Sequence, residues 1–465
     1  MSFTSAPSRW SDVWLVTVSR GISSCGDFLA ASALTLALQS AGAGGMAVSG
    51  LLLAASLPLV VLAPLTGRLA DRIDSRTLLV AAGLAQAAIC VGLAYAGHPA
   101  LVIGLVALLA SGLAVTQPVL AALVPAMVRA DDLPRASALH QTAGTLGALA
   151  GPALAGLLVG GFGVRVPLLV DAVSYLALVA AGLLIRTRRG GARRADPAVA
   201  HSPSAPRDAG APTWRLRRDP LLVAMVATVG GVIAAVGAIN VVEVFFIRET
   251  LNSSATVYGL VTGSWTLGIL VGAWAFARLA RRLSDDGALL GTGLALLGGC
   301  CLMVLASAAV PSAMLLVPIW LVGGVGNGGS NIFNTMLLAR RVPAVARGRA
   351  FAVFGAATQG ASMVGFLVGG LLLEVADPRP LVAACGLAGL LVVAAVAALV
   401  RRVARAERPA AAMTTTSGTT TPAVADANAG LDTPGRPAEP KPAAGDTVGS
   451  WQSASHVPGS GTSSS

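Results

Sequence analysis

Apolar residues run along this chain in blocks rather than stripes. Between residues 1 and 400 the sequence falls into twelve stretches of membrane-crossing length, at 13–38, 46–66, 77–97, 100–126, 138–160, 166–185, 221–247, 256–277, 287–309, 313–338, 350–375 and 379–400. A hydrocarbon core about 30 Å thick takes roughly 20 residues of α-helix. Blocks of that length bounded by charge, Pro or Gly clusters predict transmembrane helices, and the fold class is an all-α membrane protein.

Polar residues collect between the blocks, and their sign sets the orientation. All the basic residues except Arg20, Arg165, Arg248 and Arg379 fall in alternate loops or at the two chain ends. Arg-rich loops stay on the cytoplasmic side, so both termini are expected there and the number of spans must be even. Residues 186–219 carry nine Arg with Pro197, Pro203, Pro206 and Pro212. They read as a solvated cytoplasmic linker, serving either as an orientation signal or as a contact with anionic headgroups. The chain then divides into a six-span half (1–185), the linker (186–219), a second six-span half (220–400) and a tail (401–465). The tail is rich in Ala, Thr, Pro, Gly and Ser and is expected to be disordered.

Composition removes several function classes. Hydrophobic residues make up 55% and charged residues 11% of the 465, with net charge +11, whereas a soluble domain is about 25% charged. The mean hydropathy of +0.76 makes lipid, not nucleic acid, the partner of most of this surface. Cys25, Cys90, Cys300, Cys301 and Cys385 lie in apolar stretches without ligand spacing and read as free, inert thiols. His98, His140, His201 and His456 are too scattered for a metal cluster or a triad, and no P-loop is present. No enzyme, metal or cofactor is expected, nor a cleavable signal peptide, and the protein is expected to act as a monomer.

The linker invites a comparison of the halves. A shift of 214 residues lays Arg135 on Arg349, Gly151 on Gly365 and Gly156 on Gly370. Two parallel, pseudo-symmetric six-helix halves enclosing a midplane cavity are what such a repeat implies.

The loop after the second span reads Gly67-Arg68-Leu69-Ala70-Asp71-Arg72-Ile73-Asp74-Ser75-Arg76. With two six-span halves and a long middle loop, it resembles the cytoplasmic loop motif of the major facilitator superfamily. Asp74 and Ser75 stand where that motif has Gly and a basic residue. The resemblance implies a latch made by Gly67, Asp71, Arg72 and Arg76, with Asp71 facing the start of the eleventh span near Ala350. In the fifth span, Gly147, Gly151, Pro152 and Gly156 look like the motif of proton-driven exporters in that superfamily. Such glycines leave a groove for a neighbouring helix. The stretches "SRGISSCGDFLAASAL", "LVPAMVRADDLPRASAL", "DAVSYL" and "RRVPAVARGRAFAVFG" are similar to the branch of macrolide and siderophore exporters.

A charge at the bilayer centre costs on the order of 2.5–3.5 kcal/mol, so each one asks for a reason. Arg20 and Asp27 lie seven apart on one face of the first span, with Asp27 about 21 Å along the helix. They read either as a proton-loading carboxylate with its modulating cation or as a structural pair. Glu243 is the better second proton site, although Glu243 and Asp171 fall near the outer ends of their spans and suit hydrated gating. Asn327, Asn331 and Asn334 form a stripe on the tenth span, suited to a cavity wall or to interhelical hydrogen bonds. Trp265 and Trp320 offer aromatic faces for a bulky compound or for packing, and Gln359 adds a possible cavity amide. The whole predicts a secondary transporter of the bacterial cytoplasmic membrane, exchanging a small amphiphilic molecule for protons. Import of a polar nutrient and a non-transporting receptor are the alternatives. An apolar, aromatic cavity would favour export, and convergent charged groups would favour uptake.

Overall fold

The computed structural model describes residues 8–187, 219–343 and 346–416, with the backbone alone for 64, 67, 68, 70, 71, 130 and 400–416. Fourteen α-helices account for most of them. In the first half these are α1 (Trp10–Ser40), α2 (Gly44–Val61), α3 (Ala63–Arg72), α4 (Ser75–Tyr95), α5 (Pro99–Met127), α6 (Leu133–Phe162) and α7 (Arg165–Leu184). The second half holds α8 (Pro220–Val236), α9 (Ile239–Phe245), α10 (Ala255–Arg282), α11 (Asp286–Ser307), α12 (Leu316–Arg341), α13 (Arg347–Leu373) and α14 (Pro378–Thr416). By length and composition these supply 12 membrane-crossing segments, within a few residues of the twelve expected. Most of the expected linker, and the tail beyond Thr416, lie outside the described residues. The α14 backbone continues past residue 400, where the last span was expected to stop.

Local chemistry explains where helices begin. Asp219 accepts from the backbone N–H groups of Leu221 and Leu222, Ser254 from Val257, and Asp285 from Ala288. These are N-cap bonds, and Pro220 adds a pre-set φ at the first helical position. Two spans are interrupted. The second breaks at Leu62 between Pro58 and Pro64, each of which removes an N–H from the helical ladder. The seventh breaks at Gly237, is followed by α9 and ends in a π-turn at Phe246–Thr250. The Asn240 amide donates to the Gly237 carbonyl at 3.0 Å, satisfying backbone exposed by the break.

Packing repeats between the halves. Within them α6 packs on α1 as α13 packs on α8, and α5 packs on α2 as α12 packs on α10. Across them α6 meets α10 and α13 meets α2. The superposed glycines hold corresponding places. A Cβ on Gly151 would stand 2.8 Å from Leu29 N on α1, and one on Gly365 would stand 2.9 Å from Gly237 Cα. Each glycine therefore seats its helix against the first span of its own half. A Cβ on Gly156 would stand 2.6 Å from Ala255 O on α10, and one on Gly370 3.0 Å from Gly45 O on α2. Those two seat the fifth and eleventh spans against the second span of the opposite half.

Both cross-half contacts lie at the end away from the Arg-rich loops. There Ser49 donates to the Phe366 carbonyl at 2.7 Å, and Gln39 binds the Glu249 carboxylate at 3.0 Å. The halves are clasped at that end. At the other, α3 packs on α5 and Ala350 is buried among Leu222, Leu338 and Val342 of its own half. Large apolar side chains such as Trp274 and Leu176 are exposed on the flanks, as a lipid-facing surface requires.

Candidate functional site

The break in the seventh span places a cavity. Gly237, Asn240 and Glu243, at three-residue spacing, turn toward a space of about 250 Å³ that Thr262, Trp265, Cys300, Trp320, Asn327 and Ser362 also line. The Trp265 and Trp320 rings meet edge to face with centroids 5.6 Å apart, a favoured aromatic geometry. Trp320 Nε1–H donates to Ser307 Oγ at 3.2 Å, so its indole is anchored while one face borders the cavity. Glu243 is 7% exposed, and its carboxylate accepts from the Tyr258 hydroxyl at 3.3 Å. Among the described residues no Lys or Arg lines the cavity. The site thus offers two indoles, amides and a single carboxylate without a cationic partner, set in apolar walls.

A second polar cluster occupies the first half, between α1, α4 and α7. The Tyr175 hydroxyl donates to Asp27 Oδ1. One turn earlier on α7, Asp171 is fully buried and accepts from Ser174 Oγ at 2.9 Å and from Cys90 Sγ at 3.2 Å. A Cβ on Gly26 would overlap both Asp171 and Ser174, so only a glycine beside Asp27 lets α7 bring this carboxylate in. Asp27 itself is half-buried and borders a small space of about 70 Å³ shared with Ala30, Leu51 and Leu109. On α4 the Gln86 amide is fully buried, with neither polar atom hydrogen-bonded among the described residues.

The expected residues separate accordingly. Glu243, Trp265, Trp320 and Asn327 come together around one cavity. Asn331 donates to Asn327 and is exposed, while Asn334 bonds Ser330 Oγ and faces α11 beside Gly293. The asparagine stripe therefore splits, because the helix turns its third amide into a packed interface. Gln359 is half-buried on α13 and lies off the cavity lining, where Ser362 of the same helix stands. Arg20 makes no ion pair with Asp27 in this conformation. Its guanidinium lies over Gly144 of α6, close enough that a Cβ there would meet Nε at 3.3 Å. Asp171 and Glu243 are buried rather than hydrated, which corrects the expectation drawn from their distance to the span ends. Gly147 and Gly151 face α1, and Gly156 and the Pro152 carbonyl face α10, so the exporter-type motif provides grooves for two neighbours. In the loop motif Arg72 is exposed and Arg76 half-buried; the Asp71 side chain lies outside the described residues. Asn240, Tyr258 and Tyr175 were not singled out by the sequence, and Cys90 was read there only as an inert thiol, although Asp171, Ser174 and Tyr175 make up the polar face of "DAVSYL".

Solved structures share this architecture. The nucleoside transporter NupG aligns with TM-score 0.65 at 14% identity, covering 83% of this chain and 98% of that one. The peptide transporter POT in complex with sulfate gives 0.63 at 14% identity, covering 87% and 96%. A bacterial homologue of the iron transporter ferroportin in an inward-facing state gives 0.62 at 17%, covering 83% and 98%. At such identities the likeness concerns the fold. No curated protein matches the sequence. A sequence profile for transmembrane secretion effectors matches residues 4–428, and with twelve spans in two packed halves the chain belongs to that family of the major facilitator superfamily.

Proposed function

We propose that the protein exports a small amphiphilic compound in exchange for protons across the bacterial cytoplasmic membrane. The substrate class is a drug, a macrolide-like antibiotic, a siderophore or another secondary metabolite. One observation carries the reading: among the described residues the cavity joins two indoles and apolar walls to a lone carboxylate, Glu243, with no convergent cations. Aromatic and aliphatic walls suit the body of an amphiphile, and the carboxylate suits a cationic or hydrogen-bonding head. A proton on Glu243 would cancel that attraction, so proton and substrate would compete for one group, and competition of this kind yields exchange. Asp27 is the second proton port, with Arg20 close enough to bias its charge. With the Arg-rich loops on the cytoplasmic side, the halves are clasped outside, and the state described faces inward. The latch of Gly67, Asp71, Arg72 and Arg76 would close in the opposite state. The protein acts as a monomer.

The test is a susceptibility screen of a host strain with and without the protein, repeated with a proton uncoupler and with D27N and E243Q. Tolerance to at least one amphiphilic compound should rise several-fold and disappear under each of the three treatments. The reading fails if tolerance never changes and the reconstituted protein moves no compound of the panel under a pH gradient. Protein-dependent growth on a polar nutrient would replace it with uptake.

A further inference from the structure

The antiport reading uses Asp27 and Glu243 and leaves a third membrane carboxylate without a task. Asp171 has no exposed surface, and every partner it touches is neutral: Ser174 Oγ at 2.9 Å and Cys90 Sγ at 3.2 Å. The other groups facing it are Asp27 and Cys25 from α1 and Tyr175 from its own helix. Arg20 lies two turns back on α1, against Gly144 and beside His140 of α6. Among the described residues no cation hydrogen-bonds or ion-pairs with Asp171; Arg20 acts on Asp27 through space, and on α4 the neutral Gln86 stands one turn before Cys90. Gly26 removes the one Cβ that would keep Asp171 away from the residue preceding Asp27. Two carboxylates brought together in oil, with no cation hydrogen-bonded to either among the described residues, resist ionising together, and such pairs titrate as a unit.

We infer that Asp171 is a second proton-binding carboxylate, and that Asp27 and Asp171 hold one exchangeable proton between them. Asp27 is the port, because it is half-buried and borders a small cavity. Asp171 is the sealed store. The step moves a proton from the Asp27 carboxyl to the Asp171 carboxylate; Asp27 becomes the charged member, and the pair keeps a single negative charge throughout. Tyr175 serves both ends, since its phenol donates to Asp27 from the turn of α7 that follows Asp171. A charged Asp27 is stabilised by that phenol and a protonated one needs it less, so proton position is tied to the seating of α7 on α1. This assignment rests on reading Asp27 as a proton port, and proton occupancy can be measured without any substrate.

The experiment is infrared difference spectroscopy of the full chain in proteoliposomes, between acidic and alkaline buffer, on the C=O stretch of protonated carboxyls. One band should be lost in D171N and shifted in S174A, which removes only the 2.9 Å hydrogen bond to Asp171. In D27N the same band should change its pH midpoint by at least about one unit. If D171N does not assemble, the S174A shift makes the assignment. The proposal is overturned if the Asp171 band persists at every pH and is unmoved in D27N, since Asp171 is then a permanently protonated packing group. It is equally overturned if no band responds to S174A. Bands that behave as expected in a protein that moves nothing under a pH gradient would sink the antiport reading and leave the pair standing. Intact proton-driven transport with a fixed Asp171 band would do the reverse.

Discussion

Replacing Gly156 by Ala tests whether the clasp at the end away from the Arg-rich loops, the outer end on the orientation proposed above, is a gate. The added methyl would sit 2.6 Å from Ala255 O and 3.0 Å from Gly259 Cα. Both partners are backbone, so α6 and α10 must separate by several tenths of an ångström. Overpacking of this kind costs about 1–3 kcal/mol. The contact joins the two halves, and in a rocking mechanism it exists only while the outer end is shut, so the whole cost falls on that state. The ratio of closed to open should then fall about 5- to 150-fold. Gly151→Ala is the internal control. Its methyl meets α1 of its own half, at 2.8 Å from Leu29 N and 2.9 Å from Cys25 O, and those helices stay together in both states. It should lower the melting temperature without shifting the gate. Spin labels at the exposed positions Ala100 and Met314, at the outer ends of opposite halves, report the separation by pulsed electron resonance. G156A should populate a longer distance that G151A lacks. Identical distance distributions in the two variants, with equal losses of melting temperature, would refute the gate and reduce Gly156 to a packing residue.

Three further substitutions probe the interior. Trp265→Ala removes the edge-to-face partner of Trp320 while leaving the Ser307 anchor. That pairing is worth about 0.5–1.5 kcal/mol beyond area, so affinity for an aromatic amphiphile should drop up to about tenfold, measured by quenching of the remaining indoles on titration. Gln86→Leu replaces an amide that is fully buried and unbonded among the described residues. An unsatisfied buried group costs about 1–3 kcal/mol, so the melting temperature should rise, and a fall would mean that the amide holds internal water. Arg341→Ala removes the bonds to Asp219 at 2.6 Å and Asp286 at 3.1 Å. With the Arg341 side chain 30% exposed, solvent screening holds the loss to about 1 kcal/mol or less. The drop in melting temperature should be small and should shrink in high salt.

How much of this was legible in the sequence depends on what each feature is made of. Span length and loop charge are one-dimensional, and the twelve helices follow from them directly. The repeat was legible too, because Gly151/Gly365 and Gly156/Gly370 are fixed by helix approach, and backbone crowding leaves no alternative residue. Breaks were less legible. Gly237 sits in a run of Gly and Ala where nothing marks it until Asn240 is seen to donate back to its carbonyl. Depth misled most. Asp171 and Glu243 lie near span ends in sequence, yet burial is decided by neighbouring helices, and Gly26 and Tyr258 close over them from elsewhere. The Arg20–Asp27 pair shows the same limit: a shared face permits contact, but the guanidinium lies over Gly144 of α6 without an ion pair to Asp27.

Asp27 and Glu243 share one arrangement that bears on how the proposed exchange would avoid stranding charge. Asp27 on the first span and Glu243 on the seventh occupy the leading helix of each half, and each accepts from a tyrosine hydroxyl on another helix of its own half, Tyr175 or Tyr258. An Arg partner would leave an unpaired cation in oil whenever the acid took up a proton, a penalty of several kcal/mol. A phenol leaves nothing behind, because it is neutral and can rotate its proton away. On the proposed exchange, protonation at either site would remove a charge without breaking an ion pair, since the partner of each acid is a neutral phenol. Glu243 borders the cavity, so on the proposed exchange a bound substrate would displace its proton. Asp27 borders a separate small space, so under the same proposal the two halves would be loaded at separate places.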